Sequence, residues 1–170
     1  MDNICKFEKV SKGQFSKNYT KYFTGISEES PESIYNDIKL PVRATNNSAG
    51  YDFFIPYDLL IEAGKEAIVP TGVKVHLDND KFLAIYPRSG LGFKYKLRLS
   101  NTVGIIDADY INADNEGHIF IKLSNEGDKD LLIKKGQGIA QGIIQSFFVT
   151  CNDDKDEKKD RTGGLGSTSR

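Results

Sequence analysis

Between Lys39 and Phe148 the chain never stays apolar for long, and that limits its architecture more than any other feature. Candidate strands fall at Leu40–Arg43, Gly50–Ile55, Leu59–Ile61, Ala67–Pro70, Val73–Leu77, Phe82–Pro87, Leu97–Leu99, His118–Ser124, Leu131–Ile133 and Ile139–Phe148. Between them stand turn formers such as Asn46-Asn47-Ser48, Ala63-Gly64-Lys65, Thr71-Gly72, Asp78-Asn79-Asp80, Asn125-Glu126-Gly127 and Lys135-Gly136. Short strands repeated at this spacing predict an all-β sandwich, jelly roll or barrel. There is no alternation of strand and helix and no Gly-rich P-loop, so a doubly wound nucleotide-binding sheet is not expected.

The ends of the chain have a different texture. Phe15, Tyr19, Tyr22, Phe23 and Ile26 recur at helical spacing, with Gly25 near the helix end. Ser30-Pro31-Glu32 then reads as an N-cap, a proline at the first helical position and an early acid, opening a short helix through Ile34, Tyr35 and Ile38. Residues 1–38 are therefore expected to form a helical N-terminal appendage packed on a β domain over 39–150. After Val149 the charged run CNDDKDEKKD leads into RTGGLGSTSR. Such a composition predicts a flexible C-terminal arm over 151–170. Its backbone N–H groups and Arg161 could also wrap a chain of phosphates.

A formal charge of −1 provides no global field for nucleic acid or an anionic membrane, so neither is expected as a partner. Cys5 and Cys151 have no ligand spacing, and His76 and His118 are too far apart in sequence to suggest a metal site. Each histidine is expected to lie at the surface or to pack within a strand. No run is long and apolar enough to span a bilayer, and the first residues lack a signal-peptide core, which makes the cytoplasm the expected compartment.

One stretch stands apart: LRLSNTVGIIDADYINADNEGHIFIK, from Leu97 to Lys122. Its two apolar arms, Leu97 to Ile106 and Ile119 to Leu123, read as a hairpin. Asp107 follows directly on Gly104-Ile105-Ile106, and a carboxylate at the edge of a buried strand needs a hydrogen-bonding partner or a chemical task.

Five segments in order, AGYDFF (49–54), PRSGLGFK (87–94), SNTVGIIDADY (100–110), GQGIAQGII (136–144) and RTGGLGST (161–168), resemble the homotrimeric dUTPase family. The resemblance covers roughly residues 39–168. It implies a jelly-roll (β-clip) barrel assembled as a homotrimer with shared sites, which hydrolyses dUTP to dUMP and diphosphate with Mg²⁺. Such an activity limits uracil in DNA and supplies dUMP for dTMP synthesis.

By the same resemblance, Asp107 is the general base for the attacking water, a task a fixed carboxylate can perform. Asn101 and the backbone from Gly104 to Ile106 read uracil, and Tyr110 lies under the deoxyribose, leaving no room for a 2′-hydroxyl. Arg88, Ser89, Gly90 and Gln141 contact phosphates. Arg161, Gly164, Leu165, Gly166, Ser167 and Thr168 belong to an arm that closes over the substrate. Asp52 matches an acid that orders water around a metal held mainly by the triphosphate, which suits a hard cation that keeps its waters. Asp109 is expected to be a solvated turn residue.

The chain departs from the pattern in places. Leu165 stands where an aromatic usually stacks on uracil, Ser169 replaces the usual glycine, and Gly138 stands where an arginine is common. INADNEG, Ile111 to Gly117, is an insertion in the expected hairpin, either a longer loop at the trimer surface or a bulge at the mouth of the site. Two rival functions remain: dCTP deaminase, and a regulatory or binding protein on the same scaffold. The deaminase carries a glutamate on the strand after its hairpin, and HIFIKLSN has none. A regulatory protein would use the N-terminal segment or the insertion as a partner surface.

Overall fold

A computed structural model describes residues 5–153, 161 and 163. The remaining positions, which include residues 154–160 of the charged run and Gly164 to Thr168, lie outside the described residues. The order of elements is β1 (Lys6–Lys9), α1 (Lys12–Tyr22), α2 (Pro31–Asn36), β2 (Val42–Arg43), β3 (Tyr51–Phe54), β4 (Leu59–Ile61), β5 (Glu66–Pro70), β6 (Val73–His76) and β7 (Lys81–Pro87). Then follow α3 (Ser89–Tyr95), β8 (Leu97–Leu99), β9 (Gly104–Asp107), a 3₁₀ turn (Ala108–Asn112), β10 (Phe120–Asn125), β11 (Leu131–Ile133) and β12 (Gly138–Ser146).

The architecture is an all-β jelly roll built from small antiparallel sheets. The largest has the order β2-β3-β12-β7-β9, and β5-β10-β8 forms a second. β12 is central because its alternating small and aliphatic residues can be covered on both faces. A Cβ at Gly142, for example, would come within 2.9 Å of both Leu83 and Phe53. The core between the sheets holds Phe53, Ile55, Tyr57, Leu59, Leu83, Ile121 and Leu123, all nearly or fully excluded from solvent.

The N-terminal segment shares this core. Val10, Phe15, Tyr19, Ile34 and Ile38 are buried in the same cluster. Helix α2 begins as its sequence predicts: Ser30 caps it by accepting from the Ser33 N–H (3.2 Å), with Pro31 at the first position. The segment is not purely helical, however. It opens with β1, which pairs with β6 from Lys6↔His76 to Lys9↔Val73. The charged KFEK pattern hides a strand that pairs through its backbone and sends one side chain, Phe7, onto the rings of Tyr51 and Phe53.

Two further departures bear on the site. PRSGLGFK, over which the sequence suggests no helix, enters helix α3 despite two glycines that lower helix propensity. The expected hairpin is also not one. β8 pairs with β10 (Leu99↔Leu123), whereas β9 pairs with β7 in the other sheet (Phe82↔Asp107 to Ile85↔Gly104). The arm Leu97 to Ile106 breaks at Thr102, whose φ of 62° is rare for a β-branched residue. The chain there crosses from one sheet to the other.

Candidate active site

The crossing between β8 and β9 shapes a cavity of about 470 Å³ whose walls include Asn101, Gly104, Ile106, Tyr110, Phe120 and Arg161. The turn is tight. The Thr102 N–H donates to the Leu99 carbonyl (3.1 Å) and the Val103 N–H to the Asn101 carbonyl (2.6 Å). A Cβ at Gly104 would meet Ile85 Cβ at 3.3 Å, so glycine lets the turn lie against β7. β9 is the last strand of its sheet, paired on one side only among the described residues. Its outer edge therefore presents unpaired backbone donors and acceptors in fixed positions. A planar base with its own alternating donors and acceptors can pair with such an edge.

Tyr110 forms the floor. It is 5% exposed, and burial raises its hydroxyl pKa, partly opposed by the Asn115 hydrogen bond and by Arg161. The hydroxyl donates to the His118 carbonyl (3.0 Å) and accepts from Asn115 Nδ2 (2.9 Å). The Arg161 guanidinium lies 4.8 Å from the centre of the ring, a cation–π arrangement. Arg161 Nη1 also donates to Asp107 Oδ2 (3.0 Å) and Asp109 Oδ1 (3.3 Å). Asp109 is thus half exposed but ion-paired rather than simply solvated. Asp107 precedes the 3₁₀ turn without capping it, so its carboxylate is not spent on the local backbone; it is 56% exposed at the cavity rim.

A second group lies on another part of the molecule. Arg88 Nε sits 3.3 Å from Asp52 Oδ1 on β3, and its Nη1 donates to the Gly138 carbonyl (3.4 Å). A Cβ at Gly138 would fall 2.3 Å from Arg88 Nη1, so the glycine found where an arginine is common makes room for Arg88. Gln141 lies opposite Asp52 and Tyr86 on the neighbouring strands and donates to the Pro87 carbonyl (3.2 Å). Ser89 and Gly90 open helix α3, and no protein atom lies within 4 Å of where a Gly90 Cβ would be. Packing within this chain does not require that glycine.

The two groups are not brought together within one chain. Asp107 faces Phe82 near the start of β7, and Arg88 follows its last residue, Pro87. Six residues of strand separate them by roughly 20 Å. The structure therefore gathers Asn101, Gly104, Ile106, Asp107, Tyr110 and Arg161 in one half-site and Asp52, Arg88, Ser89, Gly90 and Gln141 in another.

Among the described residues no three or more His, Cys, Asp or Glu side chains are arranged to hold a metal ion.

Two residues at the site escaped sequence reasoning. His118 is fully buried: its Nδ1–H donates to Asn18 Oδ1 (2.8 Å), and its Nε2 accepts from the Gly72 N–H (2.8 Å). Burial pushes its pKa down to about 3, against a weaker upward pull from Glu116. Asn115, inside the insertion, reaches Tyr110. The alternation HIFIKL places His118 on the face of Phe120 and Lys122, opposite the buried Ile119, Ile121 and Leu123, so nothing local signals its burial or the inward turn of Asn115.

Comparison with known proteins identifies the family of the chain. The dUTPase family model matches residues 36–169. The deoxyuridine 5′-triphosphate nucleotidohydrolase of Lactococcus lactis is 41% identical over 132 residues, covering 77% of this chain and 88% of the relative. That of Clostridium tetani is 39% identical over 140 residues, covering 81% and 93%. The crystal structure of dUTPase from Streptococcus mutans superposes with a TM-score of 0.65 at 32% identity, covering 85% of this chain and 97% of that one.

Proposed function

This chain belongs to the dUTPase family, and from that premise we propose that its two half-sites meet across an interface between copies of the chain. It is a dUTP diphosphatase, a hydrolase that converts dUTP to dUMP and diphosphate. The carrying observation is the cavity bounded by the outer edge of β9 and the Tyr110 ring, with a carboxylate at its rim.

In this reading the uracil edge pairs with the backbone from Gly104 to Ile106, and Asn101 supplies an amide that can donate and accept. A fixed set of buried polar groups rejects a base that leaves them unpaired. The deoxyribose lies on Tyr110, where a 2′-hydroxyl has no space. The triphosphate then runs away from the cavity toward cations. Arg161 is at hand, and Arg88, Ser89 and Gln141 would come from a neighbouring copy. Asp107 holds a water, accepts its proton as the oxygen attacks the α-phosphorus, and the diphosphate leaves on the opposite side.

A divalent metal is general to the family. We assign Mg²⁺, held mainly by the triphosphate, with Asp52 ordering its waters. When bound it supplies charge neutralisation along the phosphates.

A homotrimer is the assembly that supports this arrangement, each site drawing Asp107 from one copy and Arg88 from another. Val103 and Ile105 stand 36% and 54% exposed beside the cavity, apolar side chains that a neighbouring copy would cover. The arm expected to close the site, Gly164 to Thr168, lies outside the described residues. A cytoplasmic enzyme acting on the deoxynucleotide pool fits this reading, and no helix among the described residues is long and apolar enough to cross a membrane.

The test is turnover of dUTP against the other deoxynucleoside triphosphates. Asp107→Asn should lower kcat by about 10²–10⁴-fold while nucleotide still binds. Equal turnover by Asp107→Asn and the parent would remove Asp107 from the role of base. Consumption of dCTP instead of dUTP would favour a deaminase.

A further inference from the structure

The INADNEG insertion is not a free surface loop. It ends in two consecutive left-handed residues, Glu116 at φ 58° and Gly117 at φ 69°. Glycine is required at the second, because a Cβ there would lie 2.8 Å from Ile111 Cα. The left-handed conformation at Glu116 costs energy for a side chain and persists only where surrounding contacts impose it. Those contacts come from the start of α1. Glu116 Oε2 accepts from the Ser11 N–H (2.8 Å), and Oε1 accepts from the Ser11 hydroxyl (2.6 Å). Burial pushes the Glu116 carboxyl up, but the two Ser11 hydrogen bonds, together with the nearby Lys74 and His118, hold the group below the usual carboxylate range. Ser11 is also the N-cap of α1, so the carboxylate sits at the positive end of that helix.

The same loop grips the floor of the cavity. The Tyr110 hydroxyl gives its proton to the His118 carbonyl, which leaves it able only to accept from Asn115. Asn115 Nδ2 also approaches the His118 carbonyl, at 3.3 Å, so two acceptors face this amide and its nitrogen must point at them. One residue on, the His118 ring is tied to α1 by Asn18 and to the β5–β6 turn by Gly72. Phe120, a wall of the cavity, packs on the His118 ring with centroids 4.6 Å apart. Two independent links thus join α1, outside the residues that the family model matches, to the residues around Tyr110.

We propose that Asn115 is a positioning residue that fixes the Tyr110 ring beneath the sugar, and that α1, through Ser11–Glu116 and Asn18–His118, holds Asn115 in place and so sets discrimination between deoxyribo- and ribonucleotides. This rests on Tyr110 being the sugar platform. A tyrosine free to rock by a fraction of an ångström opens space for a 2′-hydroxyl. Asn115 touches no substrate in this arrangement; it acts only through the ring.

The experiment measures kcat/KM for dUTP and for UTP in the full-length chain and in Asn115→Ala, Tyr110→Phe, their double variant, Glu116→Ala and Tyr110→Ala. Asn115→Ala should lower the dUTP:UTP ratio roughly three- to tenfold, the size of one lost neutral hydrogen bond. Tyr110→Phe, which also loses the hydrogen bond to the His118 carbonyl, should lower it at least as far, and adding Asn115→Ala should change the ratio no further, since the Tyr110–Asn115 contact is already gone. Glu116→Ala should move the ratio in the same direction by a smaller factor. A role confined to stability would lower the unfolding midpoint and leave the ratio alone. If Tyr110→Ala admits UTP but Asn115→Ala and Glu116→Ala keep the parent ratio, the positioning role is wrong and the platform stands. If Tyr110→Ala does not admit UTP, the platform itself is wrong and the proposal falls with it.

Discussion

His118 shows how one buried side chain ties folding to pH. Its ring is neutral because both nitrogens are committed, one as donor to Asn18 and one as acceptor from Gly72, and a second proton would break the latter bond. The unfolded chain takes up that proton near the ordinary value of 6.5, the folded chain only near 3. Stability from this residue is therefore complete above pH 6.5 and drains as pH falls toward 3, by up to about 1.4 kcal/mol per unit. Urea denaturation at pH 7 and pH 5 should show a loss of about 2 kcal/mol that shrinks in His118→Gln. An unchanged pH slope in the variant would mean that other groups carry it. At this scale the sequence was legible unevenly. Asp107 stood out because Gly104-Ile105-Ile106 read as a buried strand, but β9 alternates half-buried and exposed residues and Asp107 is itself exposed, so burial does not make its carboxylate costly. Asn115 did not, because an asparagine in a polar turn is what any turn contains, and only the fold turns it inward.

The elements were largely readable, since strands such as Leu59–Ile61, Leu97–Leu99 and Leu131–Ile133 announce themselves as short apolar runs and by the turns around them. The failures have physical causes. β1 was invisible because KFEK pairs through its backbone at a sheet edge, and α3 because its glycines argue against a helix. The stretch from Leu97 to Ile106 looked like one arm because spacing along the chain does not reveal that Thr102 turns left-handed and sends β9 to a different sheet. The N-terminal segment read as an appendage packed on the β domain; Phe15, 0% exposed, packs near Tyr19, Tyr35 and His118. Phe15→Ala should cost about 3–5 kcal/mol in the main unfolding transition. A separate early transition with the main one unmoved would instead make residues 1–38 an independent unit.

For the whole molecule, the decisive fact is where the half-sites sit. Asp107 and Arg88 flank opposite ends of β7, a separation that no reading of motif order could reveal, because order says nothing of register. The proposed assembly resolves it by letting one copy supply the base-reading cavity and the next the phosphate contacts. The N-terminal clamp and the INADNEG loop then act within a copy, while catalysis acts between copies. This division is open to a direct measurement. Arg88→Ala and Asp107→Asn, each impaired alone, are unfolded together, refolded as a mixture and assayed with dUTP. If sites are shared, random assembly restores both intact residues to about one site in four, and turnover rises well above that of either variant. Mixed oligomers whose turnover never exceeds that of the separate variants would contradict the account and place a complete site within each chain.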